Sequence, residues 1–132
     1  MEEWNGYFNE GMSYYNTTIG GIKKGRKFGN VVYYNLIGIA LECFLTAALV
    51  KEGQLPEHSS ISSIIRELKK RYEVPESFTE DSRFYNKFWN FCSLEIVKPL
   101  VPSDEEIQRL VTFVENVKVW TEALLEEPVK AV

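Results

Sequence analysis

The stretch 31-VVYYNLIGIALECFLTAALV-50 limits the fold more than any other part of this chain, because twenty consecutive residues carry one formal charge, Glu42. A helix of that length reaches about 30 Å, so it either crosses a bilayer or is enclosed by other helices. Asn35, Gly38, Glu42 and Thr46 recur every three or four positions and form one narrow polar or small stripe on an otherwise apolar cylinder. In a bilayer Glu42 would sit near the midplane at a cost of about 3 kcal/mol, whereas a bundle can supply it with a partner. The preceding basic run, 23-KKGRK-27, fits the flank of a membrane anchor. The rest of the chain nevertheless reads as the covering layer of a soluble core, so this segment is expected to be a central helix and not a membrane span.

That covering layer is helical by its periodicity. Trp4, Phe8, Met12, Tyr15, Ile19 and Ile22 recur every three or four positions and predict a first helix, weakened by Gly6, Gly11, Gly20 and Gly21 and expected to fray near Gly20. The apolar second helix follows 25-GRKFG-29 and stops at 53-GQLP-56. A third begins near 58-HSS-60, capped by Ser59 or Ser60, with Ile61, Ile64, Ile65, Leu68 and Tyr72 as its stripe and Pro75 at its exit. The fourth is expected from about Thr79 through Phe84, Phe88, Phe91 and Leu94 to about Val97. The fifth opens on a capping box, Ser103 and Glu106, and carries Ile107, Leu110, Val111, Val114, Val117, Thr121 and Leu124 inward until Pro128. No segment alternates with period two, so the chain is predicted to be all-α: one domain over residues 1–132, an antiparallel, up-and-down bundle of about five helices.

Composition narrows the function. A net charge of −4 argues against a protein whose main task is to coat nucleic acid. Cys43 and Cys92 lack the spacing of a zinc or redox pair and read as reduced thiols. The polar, acidic start is unlike a signal peptide, and the expected location is the cytoplasm. No cluster of metal ligands is evident, and no cofactor is expected.

Several marks coincide with a known family. Ala40-x-Glu42, Ala47-x-Leu49, a glycine and proline turn, His58 with the amphipathic run EHSSISSIIRELKK, and the tail 97-VKPLVPSDEE-106 before a long last helix together resemble HEPN domains over about residues 1 to 127. The resemblance implies a small helical bundle, commonly a homodimer, often found beside a minimal nucleotidyltransferase. Catalytic members carry an arginine, four to six residues, then a histidine on a late helix. Here the sole histidine, His58, precedes the third helix with no arginine at that spacing, and Arg83 on the fourth helix has no histidine after it. Thr46 stands where many relatives have lysine. A proton carrier beside a cation that stabilises charge at phosphorus is therefore missing, and no catalytic residue is assigned.

The candidate binding residues are Glu42, His58, Lys24, Arg26, Lys69 and Arg71. Glu42 reads either as lining a groove or dimer seam, or as a core carboxylate bonded to a tyrosine or amide. His58 reads as a ligand or as a turn residue fixing the third helix. In a strict up-and-down threading, Lys23, Lys24, Arg26 and Lys27 share one pole with Lys69, Lys70 and Arg71, which would attract a phosphate or an acidic partner, or serve only as a solvated surface. Large apolar residues beyond those needed for one face per helix, Trp89, Phe91, Val119 and Trp120, point to a homodimer. The expected function is a non-catalytic HEPN-like interaction module that binds a nucleotide, nucleic acid weakly, or a partner such as a nucleotidyltransferase subunit. A ribonuclease using unrecognised residues and a purely structural bundle are the alternatives.

Overall fold

The computed structural model describes residues 3–54, 60–89 and 101–126. Its helices are α1 (Glu3–Lys23), α2 (Asn30–Lys51), α3 (Ile61–Lys69), α4 (Glu76–Trp89) and α5 (Asp104–Glu126), with no strand among the described residues. The protein is an all-α bundle. The expected extension of the fourth helix through Phe91 and Leu94 lies outside the described residues, as do His58, Cys92 and Pro128.

Helix α2 is long and apolar enough to cross a membrane by composition, with a mean hydropathy of 1.6, yet 61% of its apolar window is buried against the rest of the chain. Ile37, Leu41, Phe44, Leu45, Ala48 and Leu49 are fully enclosed. Helix α1 covers one flank through Phe8, whose ring lies 5.3 Å from that of Phe44. Helix α5 covers another with Ile107, Leu110, Val114 and Val117. Its start is fixed as the sequence predicts: the Glu106 amide donates to the Ser103 hydroxyl at 3.2 Å, and the Ser103 amide donates to the Glu106 carboxylate at 2.9 Å.

The four longer helices alternate in direction. Arg26, before α2, pairs with Asp104 at the start of α5 at 3.1 Å, and the Lys51 ammonium at the end of α2 donates to the Leu124 carbonyl near the end of α5. The two helices are thus parallel neighbours, with α1 and α4 running against them. Helix α3 departs from the alternation. Ser60 and Ile61, at its start, lie beside Gly38 and Glu42 in mid-α2, whereas Tyr72, just past its end, donates to Glu52 after the last turn of α2 at 2.5 Å. It therefore runs in the same sense as α2. This corrects the single basic pole: Lys69 and Arg71 lie toward the end of the bundle opposite Lys24 and Arg26. The simple threading had α3 returning to the start of α2.

Two helix boundaries also differ from expectation. Helix α1 continues through Gly20 to Lys23, because Gly21 is a packing position: a Cβ there would come within 3.0 Å of the Phe28 ring and 3.1 Å of Tyr33. Helix α4 starts at Glu76, three residues before Thr79. The Phe78 amide donates to the Pro75 carbonyl at 3.0 Å, and this earlier start buries Phe78 against Phe113 and Trp120. Trp120, counted above as surplus for a dimer seam, is used within the chain: its indole donates to the Glu73 carbonyl at 3.3 Å and its ring meets Tyr72. Val119 remains 56% exposed. The side chain of Trp89 and all of Phe91 lie outside the described part of the chain.

Gly38 carries the closest approach of α4 to α2. A Cβ at this position would overlap the Tyr85 hydroxyl and lie 2.9 Å from Cζ, so Gly38→Ala must displace a ring that is itself stacked on Tyr34 at 4.5 Å. Gly20 faces open space. Chemical denaturation should show Gly38→Ala destabilised by about 1–3 kcal/mol, and Gly20→Ala stabilised by about 0.5–1 kcal/mol. Equal effects from the two would remove the packing role given to Gly38.

Candidate functional site

Helices α3 and α4 each turn an apolar face to α2, and their polar faces meet above it. On α3 the polar positions are Ser62, Arg66 and Lys69, spaced four and three apart; on α4 they are Thr79, Ser82, Arg83 and Asn86. Helix periodicity puts each set on one side of its helix, and the antiparallel crossing brings the two sides together. They line an open cleft of about 420 Å³ with Ile65 at its base. A chain of hydrogen bonds follows the seam. The Asn86 amide donates to Ser62 at 2.7 Å, Ser62 to Ser82 at 3.3 Å, and Ser82 to the Thr79 carbonyl at 2.9 Å.

Charge and unmet hydrogen-bonding capacity coincide in this cleft. Among the described residues, neither Arg66 nor Arg83 makes an ion pair or hydrogen bond. Lys69 has only a long contact with Glu76, at 3.8 Å. The Thr79 hydroxyl is buried without a hydrogen-bond partner, which costs free energy. The cleft thus presents a locally basic, concave surface, with Arg66, Lys69 and Arg83 at its edges.

A second cavity, of about 400 Å³, adjoins the first and shares Asn86 with it. It opens between α2, the start of α3 and α4, and contains the stripe seen in the sequence: Asn35, Gly38 and Glu42. Among the described residues no hydrogen bond or ion pair reaches the Glu42 carboxylate, and burial pushes its pKa above the usual carboxylate range. The core-carboxylate reading is thus not what is found; Glu42 lines a cavity. Burial, with a contribution from the Glu42 charge, also raises the Tyr85 phenol, although its bond with Tyr34 opposes this. Cys43, next along α2, is pushed up to about 11 by burial and by Glu10 and Glu42, which leaves its thiol unreactive.

The other candidates are dispersed. Arg26 is structural: it adopts a left-handed φ of 56°, donates to Asn30 at 2.7 Å, pairs with Asp104 and stands over the Tyr33 ring. Lys24 and Arg71 are exposed and line neither cavity. Only Lys69 and Glu42 belong to the cleft and its neighbour, while Arg66, Thr79, Arg83 and Asn86 were missed. Their signal was present in the three- and four-residue spacing of polar groups on both amphipathic helices, opposite the apolar stripes. Among the described residues no cluster of metal-ligating side chains occurs.

Glu42 makes a clear pH prediction. Its pKa is raised in the folded state, so above the unfolded value near 4.5 the unfolded chain holds fewer protons than the folded one. Stability then falls as pH rises from that value through the folded pKa, and stays reduced above it. Glu42→Gln should raise the melting temperature at pH 7, with the gain shrinking toward pH 4. A lower melting temperature at pH 7 would mean that the carboxylate has a stabilising partner.

No protein-family model matches this chain, and neither does any curated protein. Among solved structures, TT1696 from Thermus thermophilus superposes with a TM-score of 0.76 at 15% identity, covering 94% of this chain and 99% of that protein. At that identity the likeness establishes the all-α bundle and nothing about activity.

Proposed function

We propose that this protein is a non-catalytic, HEPN-like binding module that holds a phosphate-bearing ligand in the cleft between α3 and α4. The observation that carries this reading is that Arg66 and Arg83 face one concavity with no ion pair among the described residues, beside a buried Thr79 hydroxyl without a partner. Two other arginines are tied to carboxylates instead, Arg109 to Asp81 at 3.5 Å and Arg26 to Asp104 at 3.1 Å. In this reading the protein works in the cytoplasm as a homodimer, with the exposed apolar residues Phe28, Val31 and Val32 available to a second copy. A nucleotidyltransferase-type subunit is the partner implied by the HEPN resemblance. In this reading the ligand is bound and released unchanged, as the missing Arg-x(4–6)-His pattern of the sequence implies.

Inorganic pyrophosphate tests the reading directly. Calorimetry should show binding that weakens steeply with salt, and that falls about tenfold for Arg66→Ala and for Arg83→Ala, the loss of one charge-assisted contact each. Lys24→Ala should leave it unchanged. Mixed RNA incubated with the protein should remain intact. Binding indifferent to both arginine variants would move the site elsewhere, and RNA cleavage that persists through repurification would favour the ribonuclease.

A further inference from the structure

We propose that the turn between α1 and α2 is a docking surface for an anionic lipid bilayer, with Phe28, Val31 and Val32 entering the headgroup layer and Lys23, Lys24 and Lys27 meeting its phosphates. The turn is basic by sequence, but Arg26 is withdrawn from it to hold Asn30 and Asp104. The lysines are left outside: all three are exposed, and none of their ammonium groups has an ion pair among the described residues. Of the acids that open α5 beside this turn, Asp104 is taken by Arg26, and Glu106 caps the helix and faces Lys87 at 3.9 Å. That leaves Glu105 against three lysines.

Apolar residues stand among these charges. Phe28, Val31 and Val32 are each between 39% and 48% exposed, although most large side chains of α2 are enclosed. The Asn30 amide donates to the Pro102 carbonyl at 2.9 Å, which brings Val101, 52% exposed, to the same end of the bundle. Four of the six exposed large apolar residues among those described thus gather there. The turn holds one shape, because the amides of Lys24 and Lys27 donate to the Gly20 and Gly21 carbonyls and that of Phe28 to the Tyr33 hydroxyl, each at 3.1 Å. Little ordering is lost on docking.

Charge chooses the occupant. A bilayer interface accepts apolar tips carried on a turn and lets lysine stems lie beside them with the ammonium groups at the phosphates. A second copy suits these residues less well, because in a two-fold contact the patch meets its own image and lysine would face lysine. The acidic remainder, which brings the net charge to −4, is repelled by the same lipids and orients the protein with this end toward them.

Flotation of the intact protein with vesicles tests this. Phosphatidylcholine vesicles holding about one-third phosphatidylglycerol are expected to carry the protein, phosphatidylcholine alone to leave it behind, and about 0.5 M salt to release it. Lys24→Glu with Lys27→Glu, and separately Val31→Ser with Val32→Ser, should each weaken partitioning at least about tenfold. Lys70→Glu with Arg71→Glu, the same charge change toward the other end of the bundle, should not. No flotation, equal flotation with both vesicles, or an equal loss in the Lys70 and Arg71 variant overturns the proposal. So does light scattering in which the serine variant turns a dimer into a monomer while vesicles stay unbound, which gives the patch to a second copy. If the serine variant does not fold, the lysine pair decides. Pyrophosphate binding in the cleft between α3 and α4 stands or falls separately from all of these outcomes.

Discussion

Everything in this fold follows from the need to cover α2. A helix whose side chains are apolar on nearly every face gains no stability from one amphipathic neighbour, because the remaining faces stay in water. The chain meets this by placing α1, α5, α3 and α4 around it, each turning its own apolar stripe inward. Side chains as large as Tyr33 and Phe44 end up fully buried. Burying a side chain of that kind contributes about 1.5–3 kcal/mol, so the order in which helices pack is set mainly by which of them can reach α2.

Complete coverage fails along one line, and the polar stripe of α2 marks it. Gly38 permits Tyr85 to lie directly on the helix backbone, and the Tyr34 hydroxyl donates to the Tyr85 carbonyl at 2.8 Å, locking α4 in place. One turn further along, Glu42 cannot be sealed in the same way, because a carboxylate without partners resists dehydration. The bundle therefore opens there. The short α3, running beside α2 in the same sense, brings its polar face against that of α4 and continues the opening into the basic cleft.

The parts of this architecture that could be read in the sequence are those set by local rules. The capping box of α5, the Ser60 cap of α3 and the apolar repeats of α1, α3 and α5 depend on residues within a turn of one another, and each was found where expected. The direction of α3 depends on where the chain re-enters after α2, and periodicity carries no information about that. The error had a consequence for function: it assembled Lys24, Arg26, Lys69 and Arg71 into a pole that does not exist. Arg66 and Arg83 meet only through the packing of two helices, which no local pattern in the sequence encodes. Arg26 shows the opposite difficulty. A basic residue in a glycine turn reads as free, and only the tertiary contacts with Asn30, Asp104 and Tyr33 reveal it as a structural tie.

The acidic balance of the whole chain and the basic character of the cleft are compatible, and the combination shapes what can bind. A net charge of −4 opposes a long polyanion that lies along the surface, while charges farther away than the screening length, about 8 Å at physiological salt, are largely screened. Within the cleft Arg66, Lys69 and Arg83 set a locally positive field, met among the described residues by the 3.8 Å contact of Lys69 with Glu76. Glu42, in the cavity that shares Asn86 with the cleft, sets a carboxyl group at the other end of the same seam. The seam between α3 and α4 thus runs from a basic end to an acidic one, a local polarity that the net charge of the chain does not reveal.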